Sequence, residues 1–313
     1  MTPKLHVPYT SPFRSWDDKA SVRTAPRRVL AANEGRLFFP PDLAPVVGHP
    51  LIHREGGQAA VSTLLTQHLY VYLWFTTKLE VQVVNEAVRH LVFGDIGDLW
   101  LPDQMRSDAL RILCDEDFHA VFSADVERQV EEATGVTPAL CEPQFVHKLS
   151  QTVLTLPEPL RGLGRICFAV VSETLISGKL SRIPRDERVA SAIRDMVADH
   201  ARDEARHYAY FSHLFKTLWP QLQASDQRKL GVLLPRFVTI FLEPDQGALM
   251  TMLASLGLSE GQAAQAIGET YTPSAVLQEM RQASQATVRL FRAAGVFANP
   301  TIRQAFYEHN LAE

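Results

Sequence analysis

From about Gln58 onward, apolar residues recur at intervals of three and four, the signature of amphipathic helices. The first such segment carries Leu65, Leu69, Tyr72, Leu73, Leu79, Val83, Val84, Ala87 and Leu91 on this spacing, with Thr76 among them. It predicts one long helix ended by Gly94. A second helix is expected from Ser107-Asp108, read as an N-cap, to Thr134 before Gly135. Further helices are expected over 142–155, over 158–177 with Gly178 as the stop, and from near Asp186 to Pro220. The C-terminal patterns cover 225–242, 259–268, 273–294 and 300–310. No alternating strand pattern or glycine-rich βα turn follows residue 58, so the fold class is all-α.

Residues 1–57 are different. They are rich in Pro, Arg and Gly and hold only short apolar runs such as RLFF (36–39), which predicts an irregular arm with at most a short strand or two. Length alone admits two domains, but the link after Pro220 is short and the later helices keep apolar faces (Leu230, Leu233, Phe237, Phe241). One helical domain over 58–313, preceded by the arm 1–57, is the expected organisation.

Composition adds exclusions. The 46% hydrophobic and 21% charged residues are those of a globular chain, and 31 basic against 35 acidic residues leave no basic excess for a phosphate backbone. Nucleic acid is therefore not an expected partner. Cys114, Cys141 and Cys167 form no CxxC pair, which points to a reducing compartment. No apolar run reaches the roughly 18 residues of a membrane span, and no apolar leader is visible, so the expectation is a cytoplasmic protein.

The chemistry sits in two pentapeptides, Asp115-Glu116-Asp117-Phe118-His119 and Asp203-Glu204-Ala205-Arg206-His207. Each is D-E-x-x-H inside a helix, and Glu and His three apart face the same side one turn from each other. Two such helices can hold two metal ions if two further helices each supply a carboxylate. Glu173 lies in the apolar run RICFAVVSETLISG and Glu80 in LYVYLWFTTKLEVQVV. An unpartnered buried carboxylate costs several kcal/mol, so both need an explanation that a metal would supply. Glu86 is the alternative to Glu80. The two stand about 240° apart on a regular helix, so only one can serve, and the flanks Leu79, Val83 and Val84 favour Glu80. His200 lies four residues before Glu204 and on the same stripe, which offers a third imidazole. Asp115 and Asp203 are each positioned to accept the N–H of the metal-bound imidazole on the facing helix, with Arg202 and Arg206 as their counter-charges. A solvated helix face, or carboxylates paired with arginine and no metal, is the competing reading of these residues.

In its order of lone Glu80, the 115–119 DExxH, lone Glu173 and HARDEARH (200–207), the sequence resembles the di-iron N-oxygenases typified by p-aminobenzoate N-oxygenase. The resemblance spans roughly residues 58–220, extends to the C-terminal helices, and draws nothing specific from the arm. It implies a ferritin-like bundle and a metal set of Glu80, Glu116, His119, Glu173, His200, Glu204 and His207. It also implies two iron ions and O2 as co-substrate, with an amine oxidised to a hydroxylamine and onward to nitroso or nitro products, in secondary-metabolite biosynthesis. A C–H hydroxylase or desaturase, and an iron-storage ferroxidase, are the competing activities.

Thr76 and Tyr72, one and two turns before Glu80, are expected to line the substrate cavity with Ala120, Val170, Ser177 and Phe211. No Arg or Lys falls on those stripes, so a neutral arylamine or a carrier-protein-tethered amino acid suits the wall as well as an anionic aminobenzoate. An external electron donor is a required partner, and apolar residues on the outer side of the first long helix are compatible with a homodimer.

Overall fold

The computed structural model describes residues 8–31, 36–176 and 180–312. These form an all-α helical bundle. Its described residues contain no strand, only one isolated parallel bridge between Leu37 and Val189. The first long helix, α1 (Pro50–Leu79), begins eight residues before the periodicity suggests, because Pro50 suits the first helical position and His49 accepts the Leu51 N–H. Gly57, at φ +55° and ψ −136°, kinks it. At Glu80–Val84 the helix widens into a π segment, in which the Asn85 N–H bonds the Glu80 carbonyl five residues back. Helix α2 (Asn85–Phe93) then runs to Gly94, whose left-handed backbone (φ +78°) closes it.

Helix α3 (Asp103–Thr134) starts after Pro102, not at Ser107-Asp108. Asp108 is no cap: it is buried inside the helix and accepts hydrogen bonds from Tyr9 Oη (2.7 Å), Gln104 Nε2 (3.0 Å) and Arg111 (2.8 Å). Helices α4 (Gln144–Leu154), α5 (Glu158–Leu175) and α6 (Ser191–Leu218) follow. Helix α6 begins five residues later than Asp186, whose carboxylate instead turns back onto the Arg188 N–H and guanidinium. The 225–242 pattern resolves into α7 (Ala224–Gly231) and α8 (Leu234–Leu242), with Pro235 in the first turn of the second. Next comes α9 (Gln246–Ser255), which the periodicity did not predict. Asp245 caps it, accepting from Ala248 N, and also takes the Gln144 N–H at the start of α4. Helices α10 (Glu260–Thr270), α11 (Pro273–Ala293) and α12 (Pro300–Glu308) complete the chain, the first two opening on Ser259 and Thr272 caps.

Four helical units surround the interior. The run α1–π–α2 packs along α3, α5 packs along α6, α3 meets α6, and α2 and the π segment touch α5. The C-terminal helices α7, α8 and α11 lie on the outer side of α5, where the Thr287 hydroxyl donates to Thr174 Oγ1 (2.9 Å). Buried side chains from Phe13 in the arm to Leu311 belong to one contiguous cluster. Burial on this scale is the main drive for the fold, and it leaves polar groups in the centre needing partners of their own. No helix among the described residues is long and apolar enough to cross a membrane.

Candidate metal centre

The interior of the bundle contains a patch of chemistry with no access to water. Glu80, Glu116, His119, Glu173, His200, Glu204 and His207 are each at most 1% exposed. Glu80 comes from the π segment, Glu116 and His119 from α3, Glu173 from α5, and His200, Glu204 and His207 from α6. Their donor atoms converge into two groups. Glu80, His119, His200 and Glu204 form one; Glu116, Glu173, Glu204 and His207 form the other; in each, the donor atoms lie within 4.8 Å of one another. Glu204 belongs to both. The structure thus brings together all seven residues singled out in the sequence. Glu86 stays outside, half exposed and 3.3 Å from Arg165.

Many of these atoms approach without bonding. His200 Nε2 stands 2.9 Å from Glu80 Oε1, yet neither atom makes an aligned hydrogen bond. Glu116 Oε1, Glu173 Oε2 and Glu204 Oε2 are likewise buried and unpartnered. Lone pairs aimed at common points rather than at donors are the arrangement a cation requires, and four carboxylates match the charge of two divalent ions. Oxygen donors with a minority of imidazole nitrogens suit iron or manganese better than a soft thiolate-binding metal. The donor set therefore fits a metal centre.

The electrostatics reflect the same crowding. Burial opposes charge on His119 and His207, but facing carboxylates outweigh it (Glu80, Asp203 and Glu116 for His119; Glu116, Glu204 and Asp115 for His207), and both imidazoles hold protons well above the usual histidine range. Burial and the neighbouring Glu204 and Glu116 push the Glu173 carboxyl up. Against the cost of burial, His207 and His200 hold Glu204 well below the normal carboxylate range.

The two aspartates cross over. His119 Nε2 lies 3.2 Å from Asp203 Oδ2 on α6, and His207 Nε2 lies 3.2 Å from Asp115 Oδ2 on α3. Each imidazole keeps Nδ1 toward the carboxylate cluster, with His119 3.0 Å from Glu116 and His207 3.1 Å from Glu204. Both aspartates are fully buried, and the contact with His119 holds Asp203 down at about 2 in spite of its burial. Arg206 pairs with Asp203 and stands 3.9 Å from Asp115, whereas Arg202 turns to Asp199 (3.1 Å) and takes no part.

The p-aminobenzoate N-oxygenase AurF family model matches residues 10–295 of the chain. This chain belongs to that family. It is also similar to a 4-aminobenzoate N-oxygenase from Streptomyces thioluteus, 21% identical over 285 residues, which cover 81% of this chain and 82% of that protein. Membership makes it an enzyme of the N-oxygenase class. The family match begins in the arm, which the resemblance read from the sequence left out.

In this AurF-family chain the described members of the expected cavity set differ in their surroundings. Tyr72 Oη and Thr76 Oγ1 are buried without partners on the same face of α1 as Glu80. Burial and the Glu80 charge raise the Tyr72 phenol. Val170 instead borders a small apolar cavity of about 20 Å³ with Cys167, Phe215 and Trp219. Phe211 is wholly buried against Tyr210, Ala120 is half-buried beside His119, and Ser177 lies outside the described residues.

Sequence reasoning missed the arm. Its two four-residue helical turns, Trp16–Lys19 and Ser21–Thr24, reach the buried aspartates. Trp16 Nε1 donates to Asp115 Oδ1 (2.8 Å), and the Ser21 backbone N–H donates to Asp203 (3.2 Å). Phe13 stacks on the His207 ring at 6.0 Å. The available signal was the spacing of Tyr9, Phe13 and Trp16, three aromatic residues four and three apart in a segment otherwise dominated by Pro, Arg and Gly.

Proposed function

We propose that the chain holds two iron ions and uses O2 to oxidise an amine nitrogen to a hydroxylamine, with further rounds leading to nitroso or nitro products. The observation that carries this reading is the pair of buried donor groups sharing Glu204, in a member of the N-oxygenase family. Glu80, His119 and His200 would hold one ion, Glu116, Glu173 and His207 the other, with Glu204 common to both. Bound iron supplies O2 activation. The protein's own work is to exclude water, fix both imidazoles through Asp115 and Asp203, and orient the amine. The carboxylates facing His119 and His207 favour their protonated forms, so a cation taking their Nδ1 atoms would displace protons. Return of the centre to its reduced state calls for an external electron donor.

On the substrate side, Tyr72 and Thr76 offer two unpartnered hydroxyls next to Glu80, and neither carries positive charge. This supports a neutral amine with a hydrogen-bonding group, such as an arylamine or an amino acid presented on a carrier, over an anionic aminobenzoate. Only a neutral amine nitrogen has the lone pair the reaction needs, so a dry site also favours weakly basic arylamines.

The test is reconstitution with Fe(II) under anaerobic conditions, then exposure to O2 with a panel of neutral and anionic arylamines, the products read by mass spectrometry. Hydroxylamine from neutral arylamines is the expected result. Products hydroxylated at carbon would make the chain a C–H oxygenase, and Fe(III) mineral without organic product would make it a ferroxidase; either overturns the proposal.

A further inference from the structure

We infer that the N-terminal segment 13–28 is a positioning strap for the metal centre, acting on both histidine–aspartate pairs from outside the bundle. The inference rests on the metal reading above. Asp115 and Asp203 each receive one imidazole from the facing helix, and each also receives one donor from the strap: the Trp16 indole N–H for Asp115, the Ser21 backbone N–H for Asp203. At Asp115 the indole takes Oδ1 while His207 meets Oδ2. Asp203 is also paired with Arg206 on its own helix, and the Ser21 N–H adds a contact from outside that helix, shared between both oxygens. Each added donor limits rotation of the carboxylate and of the ring it meets. Phe13 adds a third contact, its ring lying nearly parallel (27°) to His207.

The strap is itself anchored along its length. The Trp16 indole sits between the guanidinium groups of Arg23 and Arg111, at 5.7 and 6.0 Å from its ring. Arg28 pairs with Asp199 (2.7 Å) and Arg27 with Asp125 (2.8 Å). The buried Gln129 amide accepts from the Leu30 N–H and donates to the Arg28 carbonyl, as a neighbouring strand would. The Ser21 hydroxyl donates to the Asp199 carbonyl on α6 (3.1 Å). These contacts are more numerous and more polar than covering an apolar surface requires. They hold in place the two donors, the Trp16 indole and the Ser21 N–H, that meet Asp115 and Asp203.

The arrangement divides the effect. Trp16 acts on the His207 half and Ser21 on the His119 half. Trp16→Phe removes the indole N–H and keeps an aromatic ring. Ser21→Pro removes the backbone N–H and sets the ring Cδ against the Asp203 carboxylate, so it displaces that side chain; it also deletes the Ser21 hydroxyl contact, while the extended backbone of Ala20 (φ −66°, ψ 140°) already suits a following proline. Trp74→Phe, which deletes an indole donor to the Cys141 carbonyl away from the aspartates, is the control.

The experiment is a cobalt(II) titration of the full chain, followed through the visible absorption of the bound ion, in wild type, each variant, and each variant combined with Asp115→Asn or Asp203→Asn. Losing an aspartate outright is expected to cost about 10–100-fold in affinity, so each strap variant should weaken one ion by about 3–10-fold and shift its band, with Trp74→Phe unchanged. The Trp16→Phe effect should vanish in the Asp115→Asn background and persist with Asp203→Asn; Ser21→Pro should do the reverse. Full cobalt affinity in both strap variants, or equal effects in both backgrounds, overturns the strap. Absence of cobalt binding by the wild type overturns the metal reading instead. Should Trp16→Phe fail to fold, Ser21→Pro carries the same test at Asp203.

Discussion

The two halves of the candidate metal centre are built from nearly the same parts, and their differences show how the bundle uses them. Helices α3 and α6 each supply D-E-x-x-H, and the histidine of each is held by the aspartate of the other. To this pseudo-symmetric frame α6 adds His200 on one side only. One half therefore has two imidazoles and two carboxylates, the other one imidazole and three carboxylates, with Glu204 counted in both. The nitrogen-rich half is met by the π segment, the oxygen-rich half by regular helix in α5. An extra nitrogen donor would raise electron density on an ion held there, and a π bulge is a frequent way to re-aim a side chain at a functional site. The asymmetry is thus concentrated at Glu80 and His200, which stand 2.9 Å apart.

The strongest way to break the comparison is to remove the residue both halves share. Glu204→Ala should abolish tight binding of both ions, with metal content falling from roughly two per chain toward zero in atomic-absorption analysis. The halves should then respond unequally to loss of an imidazole. His207→Ala takes the sole nitrogen donor from its half and should weaken that ion by more than about 100-fold, whereas His200→Ala leaves His119 in place and should cost the other ion about 10-fold, both read by metal titration. Equal losses would mean that the two halves do not differ in their dependence on imidazole.

Acidity sharpens the same picture. His119 and His207 hold their protons more tightly in the ion-free fold than in the unfolded chain. Their contribution to metal-free stability is therefore fully present below the ordinary histidine pKa of about 6.5, and is lost as pH rises through the raised folded values. Denaturant melts of metal-free protein should show stability falling as pH increases above neutrality, and metal uptake should release protons, detectable as a buffer-dependent heat in calorimetry. Proton-independent binding would contradict the assignment. The smallest effect belongs to Glu86→Gln. Its half-exposed pairing with Arg165 should be worth less than about 1 kcal/mol, and metal content should not change.

How much of this was legible in the sequence follows from the range of each interaction. The residues of the buried cluster were readable because a single helical turn relates Glu116 to His119 and His200 to Glu204, and because Glu80 and Glu173 interrupt apolar runs where a carboxylate needs a reason. The aspartate crossover was also foreseeable, since both motifs carry Asp at the same offset. The start of α3 was not: Asp108 has the composition of a cap, and its burial as an acceptor involves Tyr9, 99 positions away, as well as Gln104 and Arg111 nearby. The π segment leaves no periodicity signal in five residues. Helix α9 is equally hard to see, since its run QGALMTMLAS has little polar face to contrast with its apolar one. The cavity residues depended on which faces meet across the bundle, which spacing within one helix does not encode.

The strap has a further consequence for how the molecule is made. Trp16 and Ser21 lie 99 and 182 positions before the aspartates they contact. During synthesis the strap emerges well ahead of α3 and α6, and its set of partners is not complete until residue 203 has left the ribosome. Closing so long a loop is entropically slow, so docking of the strap belongs among the last events of folding. Until then both histidines lack their outer constraint, and the order of assembly itself delays the moment at which the interior can grip an ion firmly.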